Sequence, residues 1–205
     1  MTREGAIFPL PFFAIAIIFF FIFRLTHGLG WLYGSVLIFY LGLAIMLFFR
    51  DPERKVPQGE KLLLAPADGK VVRIENNAAP EISIFLSIFN VHINRAPVNG
   101  VIKSVTFHKG KFLAAYKTGA MVDNQRNEIE IETDKGIVRM HQVTGAIARR
   151  TICNKKVGDK VKAGERIGLI RFGSRVDLFL PENVKLDLIL NQKVKAGETQ
   201  LGSLT

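Results

Sequence analysis

Three stretches of this chain hold residue types that could do chemistry together. FGSRVDLFLP, residues 172–181, places Ser174 directly after Gly173, where two short apolar alternations, Arg166–Phe172 and Arg175–Leu180, meet. APADGKV, residues 65–71, places Asp68 just after a short apolar segment. FNVHINRAPVNG, residues 89–100, places His92 and Arg95 at a strand end before a turn. A serine hydroxyl is a weak nucleophile until a neighbouring base activates it, and carboxylates and imidazoles are the usual bases. Gly173 leaves the carbonyl ahead of Ser174 open to attack and tolerates a strained backbone. Each piece also has an ordinary explanation. Gly-Ser fits the central positions of a type II′ hairpin turn, Asp-Gly is a common turn pair, and a lone strand histidine is usually half-buried. Arg95 cannot act as a simple base, because a guanidinium does not deprotonate in proteins.

The elements that must position these residues read as strands. Period-two alternation recurs over Lys70–Glu75, Glu81–Phe89, Val101–His108, Asn127–Thr133, Ile137–Val143, Ala146–Ile152, Arg166–Phe172, Arg175–Leu180 and Val184–Leu188. Turn signals separate them, among them Asp68-Gly69, Asn99-Gly100, Asp134-Lys135-Gly136 and Gly158-Asp159. Many short strands at such spacing predict a compact β sandwich or barrel. The one helical candidate after position 60 is Lys111–Thr118. KVKAGE occurs at 160–165 and again at 193–198, and the longer VGDKVKAGERIG resembles the turn-and-strand signature of lipoyl and biotinyl carrier barrels. The modifiable-lysine tripeptide of those carriers is missing, so the echo speaks for barrel-sandwich architecture and not for a carrier function.

The first 50 residues differ in kind. Gly5–Phe23 and Trp31–Phe49 contain no charged side chain, and each approaches the ~20 residues a helix needs to cross a bilayer. The link RLTHGLG, residues 24–30, carries two glycines. Neither run has a polar face, which argues against a buried soluble pair, and no small-residue cleavage site marks a signal peptide. These features predict a membrane helical hairpin over 1–50, spanning or re-entrant, with Pro9 and Pro11 able to shorten its first helix. Arg3 precedes the hairpin and Arg50, Arg54 and Lys55 follow it, whereas the link holds Arg24 and His27. The positive-inside rule therefore places both ends, and the following domain, on the cytoplasmic face of the cell membrane. DPERKVPQGE, residues 51–60, reads as a polar linker to a β-rich domain at 61–205.

The chain has 28 Lys and Arg against 18 Asp and Glu, a formal charge of +10. Nearly all of the basic residues follow the hairpin, so the domain suits an anionic lipid surface. No nucleic-acid signature accompanies the charge, and aromatics do not interleave with it. Cys153 is the one cysteine and reads as a structural thiol at a strand end. His27, His92, His108 and His141 are scattered without a metal-ligand pattern, and His141 reads as a solvent-facing strand residue.

The order Asp68, His92, Gly173-Ser174 behind a hydrophobic anchor resembles the phosphatidylserine decarboxylase family, in its short prokaryotic-type branch. GAIARRTI, residues 145–152, is similar to that branch as well, and the resemblance covers about the whole soluble domain. It implies a zymogen that makes its own cofactor. The Ser174 hydroxyl attacks the Gly173 carbonyl and turns the amide into an ester. Loss of the Ser174 α-proton expels the Gly173 carboxylate, and the dehydroalanine left behind hydrolyses to a pyruvoyl group and ammonia. The products would be a β chain of residues 1–173 and an α chain of 174–205, held as a heterodimer or a higher oligomer of it. The pyruvoyl ketone derived from Ser174 would form a Schiff base with the substrate amine and act as the electron sink for decarboxylation, without a metal.

The resemblance matches Asp68 to the processing carboxylate and His92 to the histidine that donates a proton or orients substrate. Where the longer branch carries a second histidine, this chain has Arg95. The processing base is then Asp68, His92 or His141, and Arg95 is left to stabilise an oxyanion or to hold the lipid phosphate. Arg149 and Arg150 are adjacent on an expected strand and face opposite ways, so one could meet the phosphodiester. The expected activity is conversion of phosphatidylserine to phosphatidylethanolamine. An archaetidylserine-type decarboxylase shares the head-group chemistry. From another class, a membrane-anchored barrel-sandwich adaptor would need coiled-coil hairpins, and no sustained heptads occur.

Overall fold

The computed structural model describes residues 2–59, 61–113, 123–145, 150–171, 174–182 and 184–204. Two compact units emerge, Met1–Pro52 and Glu53–Thr205. The first holds α1 (Arg3–Ile7), α2 (Leu10–Thr26) and α3 (Leu29–Phe48). Pro9 stands at the N-cap of α2, where a proline costs little because the first helical N–H groups lack intrahelical partners. His27 closes α2 in the left-handed region (φ 55°), its N–H donating to Phe23 O. Gly28 starts α3, so the connection is shorter than the seven-residue link expected. Small residues let the two helices approach: Ser35 Oγ donates to Ala16 O at 2.8 Å, and a Cβ on Gly42 would lie 2.8 Å from the Phe13 ring. Gly5–Thr26 and Leu29–Phe48, with mean hydropathies of 2.7 and 2.0, are long and apolar enough to cross a membrane.

The second unit is built from strands. They are β1 (Leu62–Leu64), β2 (Gly69–Glu75), β3 (Glu81–Leu86), β4 (Ile93–Arg95), β5 (Gly100–His108), β6 (Arg126–Thr133), β7 (Gly136–Val143), β8 (Arg150–Cys153), β9 (Lys160–Val161), β10 (Arg166–Arg171), β11 (Ser174–Phe179), β12 (Val184–Leu186), β13 (Lys193–Val194) and β14 (Gln200–Leu204). An eight-stranded sheet runs β13-β2-β3-β11-β7-β6-β5-β9, and two three-stranded sheets run β1-β14-β12 and β4-β10-β8. All the paired strands are antiparallel. Alternate residues of the large sheet, such as Ile82, Ile84, Val176, Leu178, Met140 and Ile129, fill the core. Burial of one such side chain stabilises the fold by about 1.5–3 kcal/mol.

The two small sheets are copies of one arrangement. LLLAPADG, which holds β1, matches INRAPVNG, which holds β4. Leu64 N donates to Pro97 O at 2.8 Å and Arg95 N to Pro66 O at 2.9 Å, so the copies bond reciprocally. β13 pairs with β2 as β9 pairs with β5, and these short strands are the two KVKAGE segments. Their turns place Gly197 and Gly164 at φ 72° and 81°, a region that favours glycine. A Cβ on Gly202 would meet Lys185 O at 2.1 Å, and one on Gly168 would meet Ile152 O at 1.9 Å, so the central strand of each small sheet needs a glycine at the same place.

Three expectations change. β10 and β11 do not pair: β10 lies in a small sheet and β11 in the large one, so these two strands do not form a hairpin. The polar segment after the hairpin is packed into the second unit: Arg54 is nearly buried and Val56 lies against Gly164. His141 is 8% exposed, not solvent-facing. The helical candidate at 111–118 falls largely outside the described residues, and so do residues 146–149 of the expected strand at 146–152.

Candidate active site

Ser174 is the first residue of β11, opposite Leu86, the last residue of β3. Alternation puts Ser174 on the face of Val176 and Leu178, the core face, at its end. The residue is fully buried, and its Oγ bonds no group among the described residues. A buried hydroxyl without a partner carries a desolvation cost of about 1–3 kcal/mol. Such groups are rare in ordinary cores and common where chemistry is done.

Asp68 immediately precedes β2. Lys70 lies opposite Phe85, so β2 begins at the sheet end where β3 finishes and β11 begins. The strand order β2-β3-β11 leaves Asp68 and Ser174 two strand spacings apart, about 10 Å. Asp68 is 8% exposed. Arg54 Nη2 donates to both of its oxygens, at 3.0 and 2.9 Å, and Ala196 N donates to Oδ1 at 2.8 Å. Arg54 also reaches Glu198 at 3.7 Å.

His92 lies between β3 and β4 and is 2% exposed. Its Nδ1 is 2.9 Å from Asn90 O. A carbonyl only accepts, so Nδ1 carries the proton in that contact and Nε2 is left as the acceptor of a neutral ring. Asn90 Oδ1 accepts from Ser87 N and Oγ, at 2.9 and 2.8 Å, and this locks the turn between Leu86 and His92. The end of β3, opposite Ser174, is thus tied to the imidazole by one short turn.

Arg95 is 5% exposed; its Nη1 donates to Gly164 O at 2.9 Å, and its stem packs on Gly197. It spans the two repeated glycine turns. Arg149 lies outside the described residues. Arg150 is exposed at the start of β8, opposite Arg171, the last residue of β10.

Beneath Ser174 a buried amide chain joins two sheets. Gln142 is opposite Val176 and so shares the face of Ser174. Its Nε2 donates to Asn94 Oδ1 at 2.8 Å, and its Oε1 accepts from Asn127 at 3.1 Å. His141 faces the other way, opposite Asp177 and Glu128. Burial, then the Arg126, Arg139 and His108 charges, push its pKa down to about 3, outweighing Glu128 at 3.4 Å. It is a neutral, weakly basic ring on the wrong face of the sheet for Ser174. On that face Arg175 Nε and Asp177 Oδ1 lie 2.8 Å apart, and burial raises the Asp177 pKa.

The phosphatidylserine decarboxylase family model matches residues 41–202, which include Asp68, His92 and Ser174. The chain is 42% identical to the phosphatidylserine decarboxylase proenzyme of Chlorobaculum tepidum, over 82% of this chain and 83% of that one. The proenzyme of Geobacter sp. strain M21 is 40% identical over 98% and 95%, and that of Ruegeria pomeroyi 41% over 100% and 95%. The chain belongs to the phosphatidylserine decarboxylase family.

Among the described residues of this phosphatidylserine decarboxylase family member, no group of three or more His, Cys, Asp and Glu is placed to hold a metal ion. Two parts of this family member's site escaped sequence reasoning. Arg54 stood out only as a flanking charge, although it is the ion partner of Asp68. The Asn94–Gln142–Asn127 chain joins residues far apart in sequence, and nothing local signals it.

Proposed function

We propose that this chain cleaves itself between Gly173 and Ser174 and then decarboxylates phosphatidylserine to phosphatidylethanolamine at a membrane. The observation that carries the reading is the buried, unpartnered Ser174 hydroxyl at the sheet end shared with Asp68, in a chain of this family. In maturation Ser174 Oγ adds to the Gly173 carbonyl carbon and the amide nitrogen leaves, giving an ester. Removal of the Ser174 α-proton expels the Gly173 carboxylate. One water then hydrolyses the remaining enamine and releases ammonia.

The residues fit a pyruvoyl group at position 174, since the serine is buried at the end of the core face that carries Val176 and Leu178. That group supplies a ketone that takes the substrate amine and draws electrons from the breaking C–CO2 bond. Asp68 serves maturation, oriented by Arg54 and by Ala196 N–H. His92 serves turnover, its tautomer set by Asn90 O, and holds or delivers the proton that replaces CO2. Arg150 is our choice for the lipid phosphate, because it is exposed while Arg95 is engaged by the glycine turns. The two apolar helices support anchoring in the membrane, and the flanking arginines support a cytoplasmic catalytic unit.

The test is incubation of the purified full chain with carboxyl-labelled phosphatidylserine. Release of labelled CO2 by the wild type but not by Ser174→Ala is expected. Equal release by both would end the proposal.

A further inference from the structure

The sheet end that carries Ser174 also carries two exposed apolar tips. Register fixes this: Ser174 is opposite Leu86, Arg175 opposite Val143, Val143 opposite Arg126, and Arg126 opposite His108. The ends of β3, β7 and β5 and the starts of β11 and β6 therefore lie along one edge. Beyond β3 comes the turn with Ile88 and Phe89, 49% and 79% exposed. Beyond β5 come the exposed Lys109 and Lys111, then Phe112, 41% exposed. In the strand order the first tip adjoins β11 and the second lies three strands away on its other side, so the two flank Ser174.

Both tips are held by hydrogen bonds. Asn90 braces the first through Ser87. Asn124 braces the second, accepting from Leu113 N at 2.8 Å and donating to Thr144 O at 2.8 Å. Single exposed apolar residues are ordinary, but an adjacent Ile-Phe pair on a braced tip beside a reacting residue is not. Large apolar side chains with lysines alongside have the composition of a surface that lies in the membrane interface. The lysines favour anionic head groups.

We propose that the Ile88-Phe89 and Phe112 tips dip into one leaflet of an anionic bilayer and bring the Ser174 edge to the lipid head groups. The hairpin would then tether the chain, and the tips would orient the β unit. This rests on the lipid-decarboxylase reading for its purpose, not for its detection.

Trp31→Phe combined with Phe89→Trp gives a full-length protein with one tryptophan, at the tip. Reconstituted in phosphatidylglycerol-containing vesicles and recovered by flotation, it should lose about half of its emission when the acyl chains are brominated, and it should resist aqueous iodide. Emission indifferent to bromine and quenched by iodide would overturn the proposal, whether or not the protein decarboxylates. In a second arm, Ile88→Asp/Phe89→Asp should lower turnover of bilayer phosphatidylserine about tenfold while sparing a soluble short-chain analogue. Equal losses on both substrates would also overturn it, because the tip would then be shaping the site and not engaging the leaflet.

Discussion

Asp68 and Asn99 occupy equivalent places in the two copies of the repeat. Asp68 Oδ1 accepts from Ala196 N at 2.8 Å, and Asn99 Oδ1 accepts from Ala163 N at 2.8 Å. The next bond is repeated too: Gly197 N donates to Ala65 O and Gly164 N to Ala96 O, both at 2.8 Å. One oxygen of Asp68 therefore does a folding task that an amide does equally well. What Asn99 lacks is the negative charge and the burial.

Asp68→Asn should keep the Ala196 bond and the fold, because Asn99 shows that an amide fits this turn, but with a lower melting temperature from the charge left on Arg54. Cleavage should slow about 10²–10⁴-fold, the usual cost of losing a positioned acid–base group. Electrophoresis over time measures the rate, and a thermal melt checks folding. Wild-type cleavage by the variant would reduce Asp68 to a second Asn99.

Arg54→Met should uncover the Asp68 charge within a mostly buried setting, since the two side chains are 7% and 12% exposed. Removing one partner of such a pair costs about 3–5 kcal/mol. Pairing the change with Asp68→Asn should recover much of that loss without restoring cleavage. Denaturant titration of the single and double variants gives the coupling, and strict additivity would contradict it.

The long strands were legible because one face of each is buried and the other is not, which leaves period-two alternation in β2, β3, β5, β6 and β7. β1, β4, β9 and β13 are two or three residues long, too short to show a period. The KVKAGE echo was visible as identity. Its counterpart, LLLAPADG and INRAPVNG, was not, because matching turns tolerate different side chains around Ala-Pro and Gly. The roles proposed for Ser174, Asp68 and His92 rest on the family resemblance. Arg54 was not legible, since its role depends on the segment after the hairpin folding back onto the β unit.

His92→Ala should still mature but decarboxylate about 10²–10⁴-fold more slowly. Its ring is held by Asn90 O and so is positioned for one task. Cleavage half-time and labelled CO2 release separate the two steps. Failure of this variant to cleave, with a wild-type melt, would place His92 in maturation.

His141 should make the fold acid-sensitive. Its pKa falls from 6.5 to about 3 on folding, because burial penalises the charged ring. Below about pH 6.5 the unfolded chain takes up a proton that the folded chain refuses, so stability drops by about 1.4 kcal/mol per pH unit as the pH falls. His141→Gln should remove that contribution, and the wild-type-minus-variant difference isolates it from the raised Asp177 nearby. Melting curves between pH 7 and about pH 5 should converge as the pH falls if the wild type starts ahead; parallel curves would contradict it.

Intact mass of the purified, denatured chain tests the central claim most directly. Two masses are predicted, one for residues 1–173 and one for 174–205, the second lighter by one ammonia than a chain that begins with serine. Ser174→Ala should give a single full-length mass. An active wild-type preparation with one uncleaved mass, or a small chain with an ordinary serine N-terminus, would contradict the account.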